Sequence, residues 1–110
     1  MNICILKENK PNEFRTPLTP TDIKRLKKRH PRYNFYIEPS KNRIFSDSLF
    51  YKSGCKKYTF QNIDLFLSVK EVSTKIIKSN QNFMMFSHTV KGQPYNMPLL
   101  KKILKNNCSL

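Results

Sequence analysis

The chain has 110 residues, enough for one small domain with a modest core, and 38% of them are hydrophobic, which excludes a disordered composition. No apolar run approaches the roughly 18 residues that a membrane helix needs. The opening Met-Asn-Ile-Cys-Ile-Leu-Lys lacks the length and cleavage site of a signal peptide, so the reading is a soluble, cytoplasmic protein without a membrane partner. A net charge of +14 raises the question of a nucleic-acid partner, but 16 of the 21 basic residues are Lys. Arg, the better bidentate reader of phosphate and guanine, is scarce, so no specific nucleic-acid partner is expected.

Asn2 to Leu6 is a short apolar run and reads as a buried strand. A polar loop follows from Lys7 to Leu18. Thr19-Pro20-Thr21-Asp22 is a helix start, with Thr19 as cap, Pro20 at the first helical position and Asp22 near the positive end of the dipole. Ile23 and Leu26 would face the core, and the basic run Lys24 to Arg29 would be a solvated face. Pro31 disfavours helical geometry at His30 and ends the helix there. Tyr33 to Glu38 alternates and reads as a second strand. Ser46 then opens a short helix that stops at Gly54. Cys55 to Tyr58 is a small strand, Ile63 to Val69 a strongly apolar one, and Ser73 to Lys78 at most two helical turns. Asn82 to Phe86 is a further buried strand. Asn96-Met97-Pro98 starts a last helix whose Leu99, Leu100, Ile103 and Leu104 form one apolar stripe. Cys108 to Leu110 reads as the first residues of another strand, so the single domain, residues 1–110, is expected to be truncated at its C-terminus.

Strands alternating with helices imply a three-layer α/β domain with a mostly parallel sheet, flavodoxin-like or Rossmann-like. Cys4, Cys55 and Cys108 are odd in number and no pair has metal-ligand spacing, so no metal site is expected. Cys4 and Cys55 read as buried, reduced thiols.

In open α/β sheets ligands bind beyond the carboxyl ends of the strands. After the first strand come Lys7 and Arg15. After Ile63–Val69 come Lys70 and Glu71, and after Asn82–Phe86 come Ser87, His88 and Lys91. Lys and Arg together bind carboxylates. A Lys crowded by other cations has its pKa pushed down and can move protons, and His titrates near neutrality. Such a set suits a carboxylate substrate with a carbonyl or imine beside it. The bland readings stand beside this one: Lys70 as a solvated strand end, His88 as a structural histidine, Arg15 as surface charge.

Three segments carry a resemblance. Ile5-Leu6-Lys7-Glu8 with Phe14-Arg15-Thr16-Pro17-Leu18-Thr19-Pro20 resembles the opening of the alanine dehydrogenase, transhydrogenase and saccharopine dehydrogenase superfamily. Val69-Lys70-Glu71-Val72 resembles its central lysine motif. Phe86 to Leu100, reading FSHTVKGQPYNMPLL, is similar to the histidine segment of the saccharopine-forming, lysine-oxoglutarate reductase branch. Glu38-Pro39-Ser40, Arg43 to Asp47 and Ser53-Gly54 fall in order between them. The resemblance implies the N-terminal, substrate-binding domain of such an enzyme in lysine metabolism. Lys70 and His88 would be acid/base residues, Arg15 the substrate-carboxylate residue, and Lys7, Glu71 and Lys91 neighbours of the pocket. The family reaction is reductive amination or its reverse, between an amino acid and a 2-oxo acid, with NAD or NADP. Ser68 and Ser73 depart from the family's usual glycine and proline.

A dinucleotide fold needs a Gly-rich turn between strand and helix, and Gly54 and Gly92, the only glycines, sit in none. No residue here is therefore expected to bind the cofactor. A cofactor-binding domain, in cis or in trans, would have to supply it, and the chain alone would be inactive. Self-association is left open. The alternatives are an alanine dehydrogenase-type domain, or a non-catalytic basic remnant that binds anionic partners such as nucleic acid.

Overall fold

A computed structural model describes all residues from 1 to 110. Five strands form one sheet: β1 (Asn2–Ile5), β2 (Asn34–Ile37), β3 (Lys56–Lys57), β4 (Leu65–Leu67) and β5 (Phe83–Met84). All pairings are parallel and the order is β3-β2-β1-β4-β5. Three α-helices accompany them: α1 (Pro20–Arg29), α2 (Asp47–Lys52) and α3 (Met97–Lys105). Thr74–Ile76 and Pro94–Asn96 form single 3-10 turns, the first where up to two helical turns were expected.

The central strand explains the layering. Successive side chains of a strand point to opposite faces, and a parallel strand is covered on both. Ile3 and Ile5 pack with Ile23 of α1 and Phe50 of α2, while Cys4 and Leu6 pack with Leu99 and Ile103 of α3. The domain is thus a three-layer α/β sandwich, with α1 and α2 on one face and α3 on the other. Burial pushes the thiol of Cys4 up to about 12 and that of Cys55 up to about 11. Both stay neutral at physiological pH and behave as small apolar core residues.

Thr19 and Asp22 form a reciprocal cap at the start of α1: the Asp22 N–H donates to the Thr19 hydroxyl at 3.2 Å and the Thr19 N–H donates to the Asp22 carboxylate at 2.8 Å. The basic run Lys24 to Arg29 lies along this helix, with Lys24, Arg25, Lys28 and Arg29 exposed. Gly54 follows α2 at φ +98, and a β-carbon there would stand 2.9 Å from the Lys27 side chain. A residue with a side chain would be both strained and crowded at that turn.

The apolar stripe on α3 is narrower than expected. Leu99 and Ile103 are buried, but Leu104 is 70% exposed. Consecutive helical residues are turned by about 100°. Leu104 therefore leaves the row formed by Leu99 and Ile103, which is the row that enters the core. Ser109 pairs with Asn82 as an isolated parallel bridge beside β5. No helix is long and apolar enough to cross a membrane.

Candidate functional site

The strand order reverses between β1 and β4. In open α/β sheets the loops leaving two such strands diverge to opposite faces and open a crevice beyond their carboxyl ends. Lys7 and Glu8 follow β1 there, Glu38 follows β2, Lys70 and Glu71 follow β4, and His88 follows β5.

Glu8 closes the gap between the two central strands. Its carboxylate accepts the Val69 N–H at 2.6 Å and the Lys70 N–H at 3.0 Å. The Ser68 hydroxyl donates to the Lys70 carbonyl at 2.8 Å. The main chain of Lys70 is held on both sides, and its side chain forms no ion pair. Ser68 thus has a defined task here.

The next residue serves the histidine. Oε1 of Glu71 lies 3.1 Å from Nδ1 of His88, and its other oxygen lies 3.8 Å from Nζ of Lys10. Burial pushes the Glu71 carboxyl up. Its own backbone N–H, His88 and Lys10 outweigh that, and the net displacement is downward.

Arg15 is held by Glu13 in a two-bond contact, Nε to Oε1 at 2.8 Å and Nη2 to Oε2 at 2.7 Å. The Arg15 side chain is 67% exposed and that of Glu13 8%. The Arg15 hydrogen bond holds the Glu13 carboxyl down at about 2, with a smaller contribution from the charge of Lys70. Folding therefore favours the ionised form of Glu13. That contribution to stability is complete above the ordinary value of 4.5 and is lost as pH falls toward about 2. Urea midpoints measured across this window should fall less steeply for Glu13→Gln than for the wild type. Parallel pH profiles would show that the pair contributes nothing.

Lys7 turns to Glu38: its N–H donates to Oε2 at 3.0 Å and its Nζ lies 4.0 Å from Oε1. Lys91 is not drawn in. It is exposed and without an ion pair, in the turn closed by the Gly92 N–H on the Thr89 carbonyl at 3.1 Å.

Of the residues singled out in the sequence, Lys7, Arg15, Lys70, Glu71 and His88 stand at this edge. The carboxylates Glu8, Glu13 and Glu38, which hold this edge through main-chain N–H groups and ion pairs, were not singled out in the sequence. With Glu71, these make four of the seven acids of the chain. A signal was present, since in so basic a chain every Glu falls in a segment that follows a strand. The arrangement combines two carboxylate-paired cations, Lys7 and Arg15, and an unpaired Lys70 with a histidine oriented by an acid. A hollow of about 300 Å³ lined by Pro17, Leu18, Val69, Met84 and Phe86 opens beside it. A larger hollow, about 770 Å³, runs along the outside of α1 and is lined by none of the candidate residues Lys7, Arg15, Lys70, Glu71, His88 and Lys91.

A parallel α/β domain with its polar residues gathered at the reversal point defines the class, and the sequence pattern of the alanine dehydrogenase/PNT N-terminal domain matches residues 4–110. The chain belongs to that family. Alpha-aminoadipic semialdehyde synthase of Arabidopsis thaliana is 37% identical over 103 residues, covering 89% of this chain and 10% of that protein. The mitochondrial protein of the same name from Rattus norvegicus is 33% identical over 99 residues, again covering 89% and 10%. The chain therefore spans about a tenth of the length of these relatives. Among solved structures, an L-alanine dehydrogenase superposes with a TM-score of 0.80 at 19% identity, over 98% of this chain and 31% of the other. A transhydrogenase from Sinorhizobium meliloti superposes with a TM-score of 0.71 at 19% identity, over 88% and 31%. At such identities these two speak for the fold.

Proposed function

We propose that this chain is the substrate-binding domain of an oxidoreductase that interconverts saccharopine with lysine and 2-oxoglutarate. The observation that carries the reading is the gathering of Arg15, Lys70 and the His88–Glu71 pair at one sheet edge. The alpha-aminoadipic semialdehyde synthases among the relatives favour this branch of the family over an alanine-specific one.

Arg15 exchanges Glu13 for a substrate carboxylate and holds it in planar two-bond contact, while Lys7 adds positive charge at the rim. Lys70, with its main chain pinned, delivers a proton to the carbinolamine oxygen as water leaves. His88, with Nδ1 turned to Glu71, presents Nε2 to manage the proton of the amine. Lys91 attracts anions from the outer turn.

The residues present do not fit a dinucleotide. Gly54 follows a helix, and Gly92 stands as a lone glycine in the long loop between β5 and α3, so no Gly-rich turn joins a strand to a helix. NAD or NADP belongs, in this reading, to a second domain in cis or in trans, without which the chain does not turn over. Cytoplasmic residence is part of the same reading, supported by three free cysteines that suit a reducing compartment.

Titration of the ¹⁵N-labelled chain tests the proposal. Saccharopine and 2-oxoglutarate should shift the signals of Arg15, Lys70 and His88, and NADH should shift none. Preference for alanine and pyruvate would assign the chain to the alanine dehydrogenase-type alternative. Response to a polynucleotide alone, persisting at physiological salt, would favour a non-catalytic basic remnant.

A further inference from the structure

We propose that Asn96 is a positioning residue that fixes the conformation of His88, an inference that rests on the role given above to His88. Asn96 stands directly before α3, at the end of the 3-10 turn Pro94–Asn96 and in helical geometry at φ -92, ψ -12, and its side chain makes no bond to the first helical turn. Its side-chain amide instead donates to the main-chain carbonyl of His88 at 3.1 Å, and the residue is only 3% exposed. The 3-10 turn leads into the helix without help from this side chain, which is left to anchor the histidine segment.

His88 needs one. Its φ is +54, a left-handed conformation uncommon for a residue with a side chain. Thr89 is buried and its hydroxyl lies 3.0 Å from that of Ser87, but beyond it Val90 is fully exposed and no heavy atom lies within 4 Å of where a Gly92 β-carbon would stand. Two hydrogen bonds act on His88 itself. Asn96 holds its carbonyl and so sets the direction of Cα–Cβ. Glu71 accepts from Nδ1 and turns Nε2 outward. Without the Asn96 anchor the left-handed residue relaxes, and the ring leaves Glu71.

Asn96→Asp isolates this role, because it keeps the shape and removes the donor. The probe is the ring-nitrogen spectrum of the labelled 110-residue chain, recorded well above the ordinary histidine pKa of about 6.5. The wild type should show His88 in one tautomer, protonated at Nδ1, and Asn96→Asp should lose this in favour of the mixed pattern of free histidine. His30, stacked on Tyr33 with ring centroids 4.7 Å apart, reports whether the fold persists. An unchanged His88 pattern in a folded Asn96→Asp chain overturns the proposal.

Should that variant unfold, the wild type decides. The Asn96 side-chain amide must exchange with solvent more slowly than that of exposed Asn9, and equal rates overturn the proposal. If His88 responds to Asn96→Asp while 2-oxoglutarate and saccharopine leave the wild-type spectrum unmoved, the positioning role stands and the substrate reading fails.

Discussion

Arg43→Ala is expected to lower the unfolding free energy by about 3–5 kcal/mol, the usual result of breaking a buried ion pair from one side. Its side chain is 3% exposed. Nη1 donates to Asp47 at 3.0 Å, and Nη2 donates to the main-chain carbonyls of Glu38 at 3.0 Å and Leu6 at 3.5 Å. The guanidinium carbon lies 5.4 Å from the centroid of the Phe50 ring. One group thus ties the carboxyl ends of β1 and β2 to α2. Burial pulls its pKa down, and the charges of Asp47, Glu38 and Glu8 oppose that. The alanine variant leaves Asp47 without its counter-ion and two carbonyls short of a donor, and it uncovers Phe50. Arg43→Lys should recover only part of the loss, because one ammonium cannot reproduce the planar fork. Urea unfolding measures both variants. A shift below about 1 kcal/mol for Arg43→Ala would mean that water replaces the guanidinium group without cost.

The elements were legible in the sequence because their signals are local. Thr19 and Asp22 cap a helix through atoms three residues apart, and Pro31 ends it by a clash with its neighbour. β1 is readable because a central parallel strand is apolar on both faces. Leu104 shows the limit: the periodicity of α3 marks a stripe but says nothing about how wide a surface the sheet offers to cover it. The tasks of Arg43 and Glu8 were hidden for a related reason. Arg43 acts on the carbonyls of Leu6 and Glu38, and Glu8 on the N–H groups of Val69 and Lys70, so both depend on which strands become neighbours.

At the site, the cations were legible as residues following strands. Their pairing was not. Nothing in the spacing of Glu13 and Arg15 states that they form a two-bond ion pair at this edge, nor that Glu71 faces His88 and leaves Lys70 unpaired. Asn96 was legible only as part of a helix start with Met97-Pro98, and nothing local states that its side chain serves His88.

Completed by a cofactor domain, the proposed enzyme should lose about 10²–10⁴-fold in kcat on Lys70→Met, the usual share of general acid/base catalysis. The substitution keeps the bulk and removes the amine, and because Glu8 and Ser68 hold only the main chain of Lys70, the local fold should survive it. His88→Gln should cost a similar factor, since the amide preserves polarity without titrating. The double variant should lose less than the product of the two, because groups that act as a unit are not additive. Arg15→Ala should act mainly on KM: a carboxylate contact that is the same in substrate and transition state changes binding without changing the chemical step. Steady-state kinetics with saccharopine, or with lysine and 2-oxoglutarate, separate these effects. Folded Lys70→Met and His88→Gln enzymes with near wild-type kcat would remove both residues from catalysis and leave the edge as a binding surface alone.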